Sequence, residues 1–321
     1  MLQYLIILLD DTATSFCHYL NPCKERNLIP QETLKQGIRF AMMENLTIQF
    51  VYPAFKLPKE YGEIINTIDH TNIKPLRINK EEKPEVIVVD ESNIEQVLNN
   101  NSNIPTLVLR VSKNFLFSDV ESVRKILKKT ERLNIFLCDI DSFNEEDFNK
   151  YDYILKILAK EVGTQYKLGN MCQLNILTDR LFLTKMNNCG AGDTVVTLAP
   201  NGKFYTCPAF YYEDETDYIG DLEQGLNIKN SQLYKIDFAP ICRHCDAWHC
   251  NRCIWLNRKT TLEVNTPSRE QCTVSHIERN ASKYLLEKLS GQGFKFPNNR
   301  IPEINYLDPF ENKELWQQEN L

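Results

Sequence analysis

Residues 106–138 read TLVLRVSKNFLFSDVESVRKILKKTERLNIFLC. Two nearly continuous apolar runs, Thr106–Val111 and Leu133–Cys138, bracket a segment that opens like a helix. Ser118 with Glu121 three residues on is a capping box, and Val120, Val123, Ile126 and Leu127 then share one face. Apolar runs without polar alternation belong to strands covered on both sides. The stretch therefore reads as a strand–helix–strand unit of a parallel sheet.

The same pattern extends in both directions. Further runs lie at Tyr4–Leu9, Ile48–Tyr52, Val86–Val89 and Leu174–Leu177. Helices are predicted over Glu32–Asn45 and over Glu145–Val162, the latter with Phe148, Ile154, Leu155, Leu158 and Val162 facing inward. Six strands alternating with helices give an α/β domain with right-handed crossovers. Six are too few to close an eight-stranded barrel, which leaves an open partial barrel or a doubly wound sheet. After about residue 180 the chain turns to short, Cys- and turn-rich pieces. The expected organisation is a βα-repeat domain over 1–180, a Cys-rich domain over 181–296, and a polar tail over 297–321 packed on the surface.

Composition narrows the function classes. With 42% hydrophobic and 25% charged residues the chain is globular rather than disordered. A net charge of −6 argues against a basic face for nucleic acid. No apolar run reaches the length of a membrane span. The opening MLQYLIILLDD lacks a basic start and meets acid early, so it reads as a buried strand rather than a signal peptide. A cytoplasmic protein is expected.

Cysteine is where the sequence departs from the ordinary. Seven of the 11 cysteines (Cys189, Cys207, Cys242, Cys245, Cys250, Cys253 and Cys272) fall in one stretch. Without a secretory signal, such a cluster points to metal or cluster ligation rather than disulfides. The spacing runs C-x12-G-x4-C, a gap, C-x2-C-x4-C-x2-C, a gap, and a last Cys. Cys242 to Cys253 lie too close in sequence for a zinc ribbon, whose knuckles are set well apart, so two interleaved sites fit better. Structural zinc stays open as the alternative. Between Cys189 and Cys207, Pro200-Asn201-Gly202 flanked by Val195, Val196, Leu198, Phe204 and Tyr205 predicts a hairpin that brings the two cysteines towards each other.

This stretch resembles the SPASM domain, the auxiliary-cluster domain of radical S-adenosylmethionine (radical SAM) enzymes that mature peptides and proteins. All seven cysteines and Gly202 match its pattern, with two spacers one residue short. The resemblance implies a partial (β/α)6 barrel-like N-terminal domain followed by a small SPASM-type iron–sulfur domain. It also implies two [4Fe–4S] clusters, one held by Cys242, Cys245, Cys250 and Cys272. The other would be held by Cys189, Cys207 and Cys253, with Cys172 or an open iron at the fourth position. His244 and His249 would hydrogen-bond around the clusters, and Trp248 and Trp255 would shield them. Such enzymes bind their catalytic cluster through C-x3-C-x2-C after the first strand. Here that loop, DDTATSFCHYLNPCKERN, carries only Cys17 and Cys23. S-adenosylmethionine is therefore not expected as a cofactor. With this opening, the segment ICRHCDAWHC…WLNRKTTLEVNTPS resembles the family called CXXX repeat peptide maturase, whose members are associated with ribosomally made peptides bearing Cys-x-x-x repeats.

Three functions follow as expectations. The chain is a maturation partner that binds a Cys-rich precursor peptide beside a separate radical SAM enzyme, as electron relay or substrate platform. Alternatively it is a self-contained enzyme with an atypical cluster at Cys17 and Cys23, or a non-enzymatic zinc-binding protein. Plain readings apply to the remaining residues. Cys138 ends a buried strand and is expected in the core. Asp10 and Asp11 are expected to cap the turn after the first strand, and Cys17 and Cys23 to pack in that loop or bind peptide thiols.

Overall fold

The structure, a computed structural model, describes residues 2–76, 85–99, 103–183, 189–297 and 301, less 246, 248, 249, 251 and 252, and His244 only as backbone. The expected C-terminal tail lies almost wholly outside the described residues, as do Trp248 and His249 and the side chain of His244.

In chain order the elements are β1 (Tyr4–Leu8), α1 (Gln31–Met43), β2 (Thr47–Val51), α2 (Lys59–Ile65), β3 (His70–Pro75) and β4 (Val86–Asp90). Next come α3 (Ile94–Asn99), β5 (Ile104–Val111), α4 (Lys113–Ser118), α5 (Val120–Leu127), β6 (Thr130–Leu137), α6 (Glu145–Lys167), β7 (Gln173–Leu174) and α7 (Asp179–Phe182). The rest is β8 (Val195–Leu198), β9 (Phe204–Tyr205), α8 (Pro208–Glu213), β10 (Gly220–Asp221), β11 (Gly225–Leu226), α9 (Ile254–Thr261) and α10 (Arg269–Ser290). These form two compact units, each drawn from two segments: 1–89 with 190–238, and 90–189 with 239–321. Both units draw on residues from before and after residue 180.

In the first unit the strands lie in the order β4-β3-β2-β1-β8-β9. All pairings are parallel except β8 with β9. β1 is central, and Leu5, Ile7 and Leu8 are fully buried, which is why its sequence is apolar without alternation. α1 lays Leu34, Ile38 and Ala41 onto Leu5, Ile7, Phe50 and Leu198. A side chain at Gly37 would come within 2.4 Å of Leu198, so glycine lets α1 lie close to the sheet.

Two strand expectations need correction. β3 joins the sheet although its sequence, HTNIKP, was not read as a strand, because Ile73 alone among its residues is buried. The run Leu174–Leu177 supplies a strand only as far as Leu174. There the side chain of Asn175 takes over from the backbone: Ile135 N–H donates to its Oδ1 at 2.8 Å and its Nδ2 donates to the Ile135 carbonyl at 3.0 Å. Among the described residues the βα region thus holds seven strands, β1 to β7, where six runs were expected.

The predicted hairpin is present as β8 and β9, with Gly202 in the turn at φ 78°. It extends the sheet of β1, with Tyr4 opposite Val195 and Ile7 opposite Leu198. Gly202→Ala should cost about 1 kcal/mol, since a Cβ is disfavoured in left-handed backbone. The substituted side chain would meet nothing closer than Thr33, at 3.7 Å. A shift in the urea midpoint of that size, mostly recovered in Gly202→Asn, is the expected outcome.

In the second unit β5, β6 and β7 are parallel. α5 is capped by Asp119, which accepts from Ser122 N–H, so the expected cap at Ser118 is displaced by one residue; Ser118 instead closes α4. α6 begins with a capping box of Asn144 and Asp147. It runs beside α10 in the same direction. Arg269 pairs with Glu145 at 2.7 Å, Tyr151 donates to Glu278 at 2.8 Å, and Phe294 meets the Tyr166 ring at 5.4 Å. Among the described residues no helix is long and apolar enough to cross a membrane.

Candidate metal centre

Cys242, Cys245, Cys250, Cys253 and Cys272 all lie in the second unit. Ahead of α9 the chain folds in short turns: Cys245 N–H donates to the Cys242 carbonyl at 3.1 Å, and Cys250 N–H to the Ala247 carbonyl at 3.1 Å. These turns aim amides at sulfur. Ala247 N–H donates to Cys245 Sγ at 3.3 Å, and Leu256 N–H to Cys253 Sγ at 3.5 Å, where the thiol serves as N-cap of α9. Amide donors around sulfur favour the thiolate form that ligation requires.

The first turns of α10 complete the arrangement. Cys272, Ser275 and His276 stand at helical spacings of three and four, hence on one face. Ser275 Oγ lies 3.2 Å from Cys250 Sγ, and His276 Nε2 lies 3.6 Å from Cys245 Sγ. Cys272 and Cys242 are themselves buried. Three of the four thiols assigned to one cluster thus converge on a single helix face, with Cys242 one turn from Cys245. Among the described residues no three Cys, His, Asp or Glu side chains are gathered as closely as one metal ion would need. An all-sulfur donor set suits either a multi-iron core or zinc.

The other candidates are more scattered. Cys189 is exposed beside Gly190. Cys207 is half-buried and begins α8 in the first unit. Cys172 is fully buried ahead of β7, and burial pushes its thiol up to about 11. It sits by Tyr166, at the far end of α6 from the Glu145–Arg269 contact next to Cys272. That separation is about 30 Å at 1.5 Å per residue. The structure thus sets Cys172 at the Tyr166 end of α6, the end opposite the Glu145–Arg269 pair. Cys138, expected in the core, is exposed. It follows Leu137 on the outward phase of a strand whose buried residues alternate.

The loop after β1 is built differently. Asp10 is fully buried and caps the turn by accepting from Thr12 N–H at 2.8 Å, as expected for it. Asp11 accepts from the Tyr211 hydroxyl and from Asn27 Nδ2. Asn21 pins the loop, donating to the carbonyls of Asp11 and Ala13 and accepting from Cys23 N–H, each at 2.8 Å. Tyr19 stacks on Tyr212 at 5.7 Å, and Tyr212 packs on Tyr211 at 5.2 Å. Burial, then the charges of Asp11, Glu215, Asp10 and Glu25, push the Cys23 thiol above its ordinary pKa. Burial, followed by Cys23 and the two aspartates, does the same to the Tyr212 phenol. Tyrosine rings pack against one another beside the loop, and the acidic side chains around Cys23 disfavour its thiolate.

Reading from sequence missed five residues here. Asn21 carried no signal beyond its place in a turn, and Tyr211 and Tyr212 only their nearness to Cys207. Ser275 and His276 could have been found, since both fall within QCTVSH at helical spacing from Cys272.

No protein-family model and no curated protein matches the chain. Solved structures do. Hexahistidine-tagged anSMEcpe with bound AdoMet superposes at a TM-score of 0.62 and 11% identity, over 90% of this chain and 96% of that one. The α/β fold, with its central parallel sheet, is the one shared with that structure. Native anSMEcpe with bound AdoMet and Cp18Cys peptide gives 0.59 at 14% identity, over 91% of this chain and 100% of that chain. The same protein with Kp18Cys peptide gives 0.60 at 13% identity, over 90% and 99%. At such identities the likeness is one of fold.

Proposed function

We propose that this chain is a cytoplasmic maturation partner for Cys-rich peptides of the CXXX repeat type, holding two auxiliary [4Fe–4S] clusters and working beside a separate radical SAM enzyme. Cys242, Cys245, Cys250 and Cys272 hold one cluster. Cys189, Cys207 and Cys253 hold the other, with an open iron at its fourth position. Bound there, the clusters supply one-electron transfer and an open iron able to take a substrate thiolate.

The observation that carries this reading is the convergence of Cys245, Cys250 and Cys272 on one face of α10. Cys272 is buried there while Cys245 and Cys250 are half-buried, and the Ala247 and Leu256 amides donate to the sulfurs of Cys245 and Cys253. The loop after β1 supports the partner role over a self-contained enzyme. It offers two thiols, Cys17 and Cys23, where three are needed. The peptides bound to anSMEcpe, on a shared fold, support a peptide substrate here.

Anaerobically purified and reconstituted chain should be brown and carry about eight iron and eight sulfide per chain. Stoichiometric zinc without iron would overturn the reading.

A further inference from the structure

The helix that bears the last cysteine carries two polar side chains the ligand set does not use. Ser275 is 6% exposed and His276 is 1% exposed, so both are withdrawn from water. Each touches a different cysteine, Ser275 the sulfur of Cys250 at 3.2 Å and His276 the sulfur of Cys245 at 3.6 Å. Both stand one turn on from Cys272. This face therefore carries one ligand and one contact to each of two others.

We infer that Ser275 and His276 are positioning residues that donate hydrogen bonds to the ligand sulfurs of the cluster at Cys242, Cys245, Cys250 and Cys272, and hold its reduction potential up. The inference rests on the proposed function, since it takes those cysteines as cluster ligands. A metal-bound thiolate is an acceptor only, so the imidazole Nε2 facing Cys245 is the protonated nitrogen. The single Ser275 proton has two acceptors in reach, Cys250 Sγ and the Gln271 carbonyl at 3.0 Å. Sulfur carrying cluster charge is the stronger of the two, because charge-assisted bonds outweigh neutral ones. Donors to cluster sulfur stabilise the added electron and so raise the potential. In this dry surrounding neither donor competes with water, which strengthens the effect.

The test is an EPR-monitored redox titration of the full reconstituted chain beside His276→Ala, His276→Gln, Ser275→Ala and Ser275→Thr. Iron content should stay at the wild-type level. One of the two cluster midpoints should move to more negative potential in both Ala variants, and further in the double variant. Gln and Thr, which keep a donor, should restore much of it, and the second midpoint should not move. Iron-replete Ala variants with both midpoints unchanged overturn the inference alone. Wild-type chain that takes up no iron overturns the proposed function and this inference with it. Should His276→Ala lose iron, pulsed EPR of wild-type chain labelled with 15N-histidine decides. A weak nitrogen coupling absent from His276→Gln supports the donor role. No coupling, or the strong coupling of a direct ligand, overturns it.

Discussion

Cys245→Ala should remove about half of the iron from the reconstituted chain, whereas Cys172→Ala should leave the iron unchanged. Cys245 sits at the centre of the candidate site. Its sulfur accepts from Ala247 N–H at 3.3 Å and lies 3.6 Å from His276. Deleting that sulfur takes one of four thiolates from a single cluster and leaves the other cluster its own ligands. Cys172 shares the second unit but stands by Tyr166, with α6 between it and the Cys272 end. Its thiol is buried and kept protonated near neutral pH, its pKa pushed up to about 11 by burial. Iron and acid-labile sulfide per chain, measured anaerobically, separate the two variants. Full iron in Cys245→Ala, or an equal loss in Cys172→Ala, would show that the ligands are partitioned differently.

Glu278→Ala should destabilise the chain by about 3–5 kcal/mol, the largest effect expected of any single substitution outside the cysteines. Arg180 and Glu278 form a buried ion pair at 3.0 Å. The Tyr151 hydroxyl donates to the other carboxylate oxygen at 2.8 Å, and Arg180 also donates to the Ile176 carbonyl at 2.9 Å. The network ties α6, α7 and α10 together two residues beyond His276. Removing the carboxylate strands a guanidinium that is 1% exposed, with no water to replace its partner. Arg180→Met combined with Glu278→Leu removes both charges and should cost far less, because the penalty lies in the unpaired charge. Urea unfolding of the three variants checks this. A change below about 1 kcal/mol in Glu278→Ala would mean that the pair is not buried in solution.

Most of the first layer of this fold is legible in the sequence. β1 and the second half of β5 announce themselves because both faces are covered and nearly every position is apolar, and β2 and β6 through buried apolar residues that alternate with less buried ones. α6 does so through its inward stripe, and the β8–β9 hairpin through Pro200-Asn201-Gly202. What escapes is set by tertiary context. β3 is polar because Ile73 is its single buried residue, and period-based reading has nothing to count there. Leu174–Leu177 misleads in the opposite sense: apolar burial continues, but the Asn175 amide replaces the strand's own hydrogen bonds. The hairpin was legible, yet its parallel pairing with β1 depends on residues nearly two hundred positions away. In the candidate site the ligand cysteines were readable from spacing. Their supporting donors were not separated from the background of helix α10, whose polar residues Thr273, Ser275 and His276 are buried for reasons only the packing supplies. Cys138 failed as a core residue because a one-residue step beyond Leu137 reverses the side chain's direction.

On the proposed function, this chain serves radical chemistry without starting it. The loop after β1 has only Cys17 and Cys23 for thiols, with the Cys23 pKa raised, and Tyr19, Tyr212 and Tyr211 pack in a row beside it. The most direct test is to incubate the reduced, reconstituted chain alone with S-adenosylmethionine and a Cys-x-x-x repeat peptide, and to quantify 5′-deoxyadenosine. The account predicts none above a buffer control, from protein that carries its full iron. Formation of 5′-deoxyadenosine by the chain alone would contradict it, and would make the chain a radical enzyme in its own right.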